Sequence, residues 1–173
     1  KDPAEMQAMM NQAMPAVLRQ FPQAQLLVVG EGPMRARLVR LARSLGISAA
    51  CVFIPRIHDT LKALPVIDIF AMPSLKEGLG LSLMEAMAAG LPCVGSDIGG
   101  IRNLIKHGEN GLLVPVEDSA GLAAAVISLL DDEKKARQLA DNARTFINHS
   151  FSQAEMVYKT QEVYRECLEK KPA

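Results

Sequence analysis

The sequence predicts an α/β fold, a Rossmann-like parallel sheet flanked by helices, and three observations carry that expectation. Short apolar runs alternate with helix-length amphipathic segments, as repeated strand–helix–strand units require. Glycines punctuate the pattern at Gly30, Gly46 and Gly90, each where a strand or helix would have to stop. A chain of 173 residues, 49% of them apolar, is one ordinary domain able to bury its own core.

Taken in order, the pattern predicts a helix over residues 4–20, a strand at 25–29 closed by Gly30, and a helix at 34–45 stopped by Gly46. A strand at 51–54 follows, then a short helix at 60–64 and a strand at 67–72. A glycine-interrupted turn leads into a helix at 82–89 that Gly90 ends, followed by strands at 92–95 and 111–114. Three helices, 119–130, 133–148 and 153–169, complete the chain. In an open parallel sheet, ligands sit beyond the carboxyl ends of the strands. The predicted strand ends gather residues 30–32, 56–62, 74–82 and 96–100 at that edge.

Gross features narrow the function classes. Lys plus Arg and Asp plus Glu balance at 19 each, so no global field favours nucleic acid or an anionic membrane, and substrate charge has to be met locally. The longest aliphatic run, 121–130, is broken by Ser128 and falls short of the roughly 20 residues a membrane helix needs. With neither a leader nor an initiating methionine, the chain is expected to be a piece of a longer cytoplasmic polypeptide, peripheral to a membrane only through a part outside it. Cys51, Cys93 and Cys167 are odd in number and far apart, which suits a reducing setting. Together with His58, His107 and His149 they show no metal-ligand spacing, so no metal and no cofactor is expected.

The richest stretch is LKEGLGLSLMEAMAAGLP, from Leu75 to Pro92. Gly78 and Gly80 allow backbone to approach a ligand, and the first N–H groups of the following helix are anion donors. Glu77 and Glu85 flank that turn and, as carboxylates, suit sugar or ribose hydroxyls. A phosphate carrying two polyol ends, as in a nucleotide diphospho-sugar, has the matching composition. The same letters also spell a capping box from Ser82 to Glu85, and an acidic residue is favoured before any helix by the dipole.

Residues 77–92 resemble the EGxGxxxxEAMAxGxP pattern of retaining GT-B glycosyltransferases of the family 4 type (glycosyl transferases group 1), and the resemblance continues through Gly99-Gly100 and GENGLLVP at 108–115. LVVGEGPMR at 27–35, IDIFAMPS at 67–74 and Phe151-Ser152 extend it over nearly the whole chain. The chain departs from that family at Asn103, where a glutamate is usual, and at Pro55, where glycine is more common. The resemblance implies the C-terminal, donor-binding half of a GT-B enzyme, lacking the N-terminal acceptor domain and its own first strand.

It further implies roles for particular residues. Glu77 would lie beside the transferred sugar as the catalytic carboxylate, and Glu85 would hold the ribose. Lys1, Gly30, Gly32, Gly78, Leu79, Gly80, Leu81 and Ser82 would meet the donor sugar or its phosphates, while Arg56, Ile57 and Lys62 would frame the base. The donor would be UDP-, GDP- or ADP-linked, and the acceptor a glycan or lipid-linked glycan held by the other domain. Front-face retaining transfer without a metal is the implied chemistry, in polysaccharide or glycoconjugate synthesis, with the isolated chain inactive; a double displacement through Glu77 is the chemical alternative. A non-catalytic nucleotide-binding domain and a sugar-nucleotide epimerase are the other functions open at this point. The final helix carries an apolar stripe of Met156, Val157, Val163, Tyr164, Cys167 and Leu168 that is expected to be exposed without the other domain.

Overall fold

The computed structural model describes the backbone of residues 3–57 and 60–169. Seven helices and five strands alternate among the described residues: α1 (Pro3–Gln20), β1 (Leu26–Val29), α2 (Arg35–Ser44), β2 (Cys51–Ile54), β3 (Phe70–Met72), α3 (Leu81–Ala88), β4 (Cys93–Ser96), α4 (Gly99–Arg102), β5 (Leu112–Val114), α5 (Ser119–Asp131), α6 (Glu133–Ser150) and α7 (Gln153–Glu169). All strand pairing is parallel, as the alternation of elements demands. The strands form two sheets, β1-β2 and β3-β4-β5.

Strand β4 shows why the fold is layered. All of its residues are buried, and successive side chains point to opposite faces. Val94 joins the core made with Met9, Ala13, Met14 and Val17 of α1 and Leu122 and Val126 of α5. Cys93 joins the second core, with Leu83 and Met87 of α3, Ile101 of α4 and Ala143 and Ile147 of α6. Helices thus cover both faces, and each large aliphatic side chain so buried contributes about 1.5–3 kcal/mol. Burial also pushes the Cys93 thiol up to about 12, leaving it a protonated, unreactive core residue.

Local sequence explains the helix ends. Asp118 accepts from the Gly121 N–H at 2.7 Å and Asp132 from the Lys135 N–H at 2.9 Å, so aspartates cap α5 and α6. On α6, Ala136, Leu139, Ala140, Ala143 and Ile147 recur at helical spacing and form its buried stripe. The expected helix at 60–64 is instead two 3-10 turns, Thr60–Lys62 and Leu64–Val66, the second carrying Pro65 near its start. That turn also shortens the strand expected at 67–72 to Phe70–Met72. Helix α4 was not expected, because two adjacent glycines are poor helix formers. Helix α7 buries none of its residues; Met156, Val163, Tyr164 and Leu168 are all more than half exposed, as anticipated for that stripe.

The GENG segment is a structural clasp. Buried Asn110 accepts from the Lys106 N–H at 2.7 Å and donates to the Leu104 carbonyl at 3.0 Å, while the Gly108 N–H reaches the Gly111 carbonyl. His107 is exposed and accepts the Leu113 N–H on Nδ1 at 3.0 Å, so it holds the start of β5. Asn110→Ala strands two backbone partners, a loss of about 2 kcal/mol. Its Tm should fall by about 4–8 °C. An unchanged melting curve would count against the clasp.

Candidate functional site

The glycine turn is built by its own carboxylate. Glu77 is half-buried, and its Oε1 accepts from the Gly78 N–H at 3.1 Å and the Gly80 N–H at 3.3 Å. Gly80 adopts φ +71°, a left-handed conformation that glycine alone takes without strain, and it occupies the N-cap of α3. The capping box is therefore not formed: among the described residues no side chain caps α3, and Ser82 is the second helical residue, two positions past the N-cap. The first intrahelical bond from the turn runs from the Met84 N–H to the Gly80 carbonyl at 3.0 Å. The N–H groups of Leu81, Ser82 and Leu83 precede it and have no helical acceptor.

A second glycine seats the turn. A Cβ on Gly100 would stand 2.3 Å from the Glu77 carbonyl oxygen and 2.6 Å from that of Gly78, so α4 packs backbone against backbone on the turn. Neighbouring Gly99 has open space around it. Arg102, at the end of α4, donates through Nε and through Nη2 (3.0 Å) to both carboxylate oxygens of Asp97, just past β4. That hydrogen bonding holds the Asp97 carboxyl below its ordinary range. The strap is at full strength at neutral pH and is lost as pH falls through that lowered value. Ser96, fully buried beside it, has a hydroxyl with no hydrogen-bond partner among the described residues.

The structure divides the expected site residues into groups. Ile57, Ser82 and Glu85 lie together on the wall of a cavity of about 870 Å³, alongside Met72 and Pro73 from the carboxyl end of β3. Glu77, Gly78 and Gly80 form the turn at the head of the same helix, and Leu79 and Leu81 stand half or more exposed on it. Glu85 is the fifth residue of α3 and exposed, in its second turn rather than its first. Gly30, Gly32, Arg56 and Lys62 are exposed at the ends of β1 and β2 and on the following 3-10 turn; they do not line the cavity. Lys1 lies outside the described residues. Sequence reasoning missed the structural part of Gly100, and it placed Ser74 and Ser96 at the strand ends without foreseeing that both are buried. The signal for the first was present: paired glycines directly after a strand. Among the described residues, no three His, Cys, Asp or Glu side chains gather as a metal site.

Comparison with known proteins gives this geometry a family. The model for Glycosyl transferases group 1 matches residues 4–146. N-acetyl-alpha-D-glucosaminyl L-malate synthase of Bacillus anthracis is 35% identical over 145 residues, covering 84% of this chain and 38% of that protein. The structure of sucrose-phosphate synthase from Thermosynechococcus elongatus superposes with a TM-score of 0.78 at 30% identity, over 94% of this chain and 43% of the other. That of Anabaena Alr3699/HepE in complex with UDP-glucose gives 0.85 at 24% identity over 96% and 46%, a likeness of fold. The chain spans under half the length of the curated relatives it matches. Parallel strands with helices on both faces, a glutamate-closed glycine turn at a helix head and a match over most of its residues place this chain in the family Glycosyl transferases group 1.

Proposed function

We propose that this chain is the donor-binding half of a retaining glycosyltransferase that takes a sugar from a nucleotide diphospho-sugar. The observation that carries the reading is the turn itself, with Glu77 folded onto it, helix N–H groups beyond it and Glu85 further along the same helix. The N–H groups of Leu79, Leu81 and Ser82 receive the diphosphate, and their fixed dipoles stabilise the charge that grows on it as the glycosidic bond breaks. Because Glu77 already holds the Gly78 and Gly80 N–H groups, those glycines contribute close approach rather than donors. Glu85 takes the ribose hydroxyls, with Ile57 against the base and Arg56 and Lys62 beyond it. Lys1, Gly30 and Gly32 complete the phosphate and sugar side. The acceptor, a glycan or lipid-linked glycan, comes from a further domain and attacks from the face the donor leaves.

A solved protein of the same fold holds UDP-glucose, which supports a UDP-linked donor first, ahead of GDP or ADP. Isothermal titration of the whole protein against UDP-, GDP- and ADP-sugars tests the class directly; no binding to any of them would sink it. Glu85→Gln removes one charged acceptor and should weaken the preferred donor about tenfold or more, with the fold intact by circular dichroism. Unchanged donor affinity in that variant would remove Glu85 from the site.

Transfer is also expected to need no metal, since helix N–H groups and basic residues meet the phosphate charge. EDTA should leave the rate within about twofold, well under the several kcal/mol a Lewis-acid metal supplies. Loss of transfer on chelation, restored by Mg²⁺ or Mn²⁺, is the contrary result.

A further inference from the structure

The glycine turn is held from outside as well as from within. A Cβ on Gly80 would stand 3.3 Å from Cδ1 of Leu104, a fully buried side chain two residues beyond the end of α4. One short segment therefore bears on the turn twice, through the Gly100 backbone against Glu77 and Gly78 and through the Leu104 side chain against Gly80. Gly80 has no side chain of its own to fix it. Its place, and with it the direction of the Leu81 and Ser82 N–H groups, depends on the Glu77 carboxylate that takes its N–H and on the Leu104 side chain it packs against.

Leu104 is in turn held by a residue further along the chain. The Leu104 carbonyl and the Lys106 N–H lie past the end of α4, and the Asn110 side chain meets both: Nδ2 donates to the first at 3.0 Å and Oδ1 accepts from the second at 2.7 Å. Ile105, between them, fills the space over two glycines, its side chain 3.2 Å from where a Cβ on Gly95 or on Gly111 would be. Leu104 is thereby left to the turn. The loop carrying Asn110 is itself braced, because Asn142 of α6 donates from Nδ2 to the Glu109 carbonyl at 2.7 Å. Contacts run without a break from α6 through this loop and Leu104 to the N-cap of α3.

We propose that Asn110 is a positioning residue for the candidate site, acting through Leu104 on Gly80. The inference rests on the reading of the turn as the cradle of a diphosphate. Preorganised N–H donors act at full strength only while they are fixed in place, and a displacement of about 1 Å can cost a hundredfold. A primary amide offers both a donor and an acceptor, the pair that the Leu104 carbonyl and the Lys106 N–H require. Aspartate has nearly the same shape but, ionised, only accepts. Asn110→Asp therefore keeps the Lys106 bond and turns a carboxylate oxygen on the Leu104 carbonyl. Leu104 is then free to withdraw from Gly80, and the N-cap of α3 loosens. A residue serving stability alone would lower Tm and leave ligand affinity below the transition untouched.

The test compares three variants of the whole protein: Asn110→Asp, Leu104→Val and, as a control, Leu122→Val. Leu122 is as fully buried as Leu104 but belongs to the core that α1 and α5 form on the other face of β4. Amide exchange resolved residue by residue, without nucleotide, reads the turn itself. The Gly80 N–H, held by Glu77, should exchange about tenfold faster in Asn110→Asp and Leu104→Val, and within about twofold of the unaltered rate in Leu122→Val. Titration well below each melting temperature uses whichever of UDP-, GDP- and ADP-glucose the unaltered protein binds best. Affinity should fall about tenfold or more in the first two variants and hold in the third. Unchanged Gly80 exchange in Asn110→Asp and Leu104→Val overturns the proposal, and so do affinity losses no larger than that of Leu122→Val. Should the unaltered protein bind none of the three nucleotide sugars, the donor reading fails, and faster Gly80 exchange in the two variants would still assign Asn110 the positioning of the turn.

Discussion

Replacing Gly100 with alanine is expected to destabilise the chain and to remove the nucleotide-sugar binding proposed for it, while Gly99→Ala leaves both nearly unchanged. A Cβ at position 100 would meet the Glu77 carbonyl oxygen at 2.3 Å and the Gly78 carbonyl at 2.6 Å, and neither is the end of a flexible side chain. The turn and α4 must separate, and overpacking of this kind costs about 1–3 kcal/mol or more. For a domain of this size that is a fall in Tm of about 3–10 °C. Separation also frees the Gly78–Gly80 backbone that Glu77 holds in place, so the loss of affinity should exceed what stability alone explains. At position 99 nothing lies within 4 Å of the added methyl, and alanine suits the start of a helix better than glycine. Calorimetric melting and titration with a nucleotide sugar measure both effects. Equal behaviour of the two variants would mean that α4 does not seat the turn.

The contrast between these two glycines shows what a sequence exposes and what it withholds. Strand and helix positions were legible to within a residue or two at β1, β2, α5 and α6, because the strands there end at glycine or proline and the helices open on an aspartate cap. Helix α4 was not, since a single turn opened by two glycines has neither propensity nor periodicity. The Ser82–Glu85 string matched a capping box because spacing is all such a pattern encodes; Gly80, in a left-handed conformation, took the cap instead. Glu77 and Glu85 were correctly placed at the turn and on the helix behind it, whereas the Glu77 hydrogen bonds depend on how the turn closes. The break between β1 and β3 was the least legible feature from local pattern. Strand order is a property of crossovers, and the two edges facing the cavity belong to segments 40 residues apart in sequence, as Leu27 and Ile67 are.

Glu77→Gln in the whole protein should lower the rate of sugar transfer by about 10²–10³ while donor affinity changes by no more than a few-fold. The amide keeps an acceptor oxygen for the Gly78 and Gly80 N–H groups, now 3.1 and 3.3 Å from Oε1, so the turn retains its shape and only the charge is lost. A preorganised group that acts on charge developing in the transition state is worth about 3–4 kcal/mol, which is the source of that factor. Loss of such a contact lowers kcat and kcat/KM together, whereas loss of a ground-state contact raises KM alone. Glu77→Ala separates the structural share: it removes the acceptor as well, and should add a stability loss of about 1 kcal/mol, as for a deleted helix cap. If Glu77 served only to close the turn, the glutamine variant would transfer sugar at the full rate and the alanine variant alone would be impaired. Steady-state kinetics of the two variants, set beside their melting temperatures, distinguishes a catalytic carboxylate from a loop clasp.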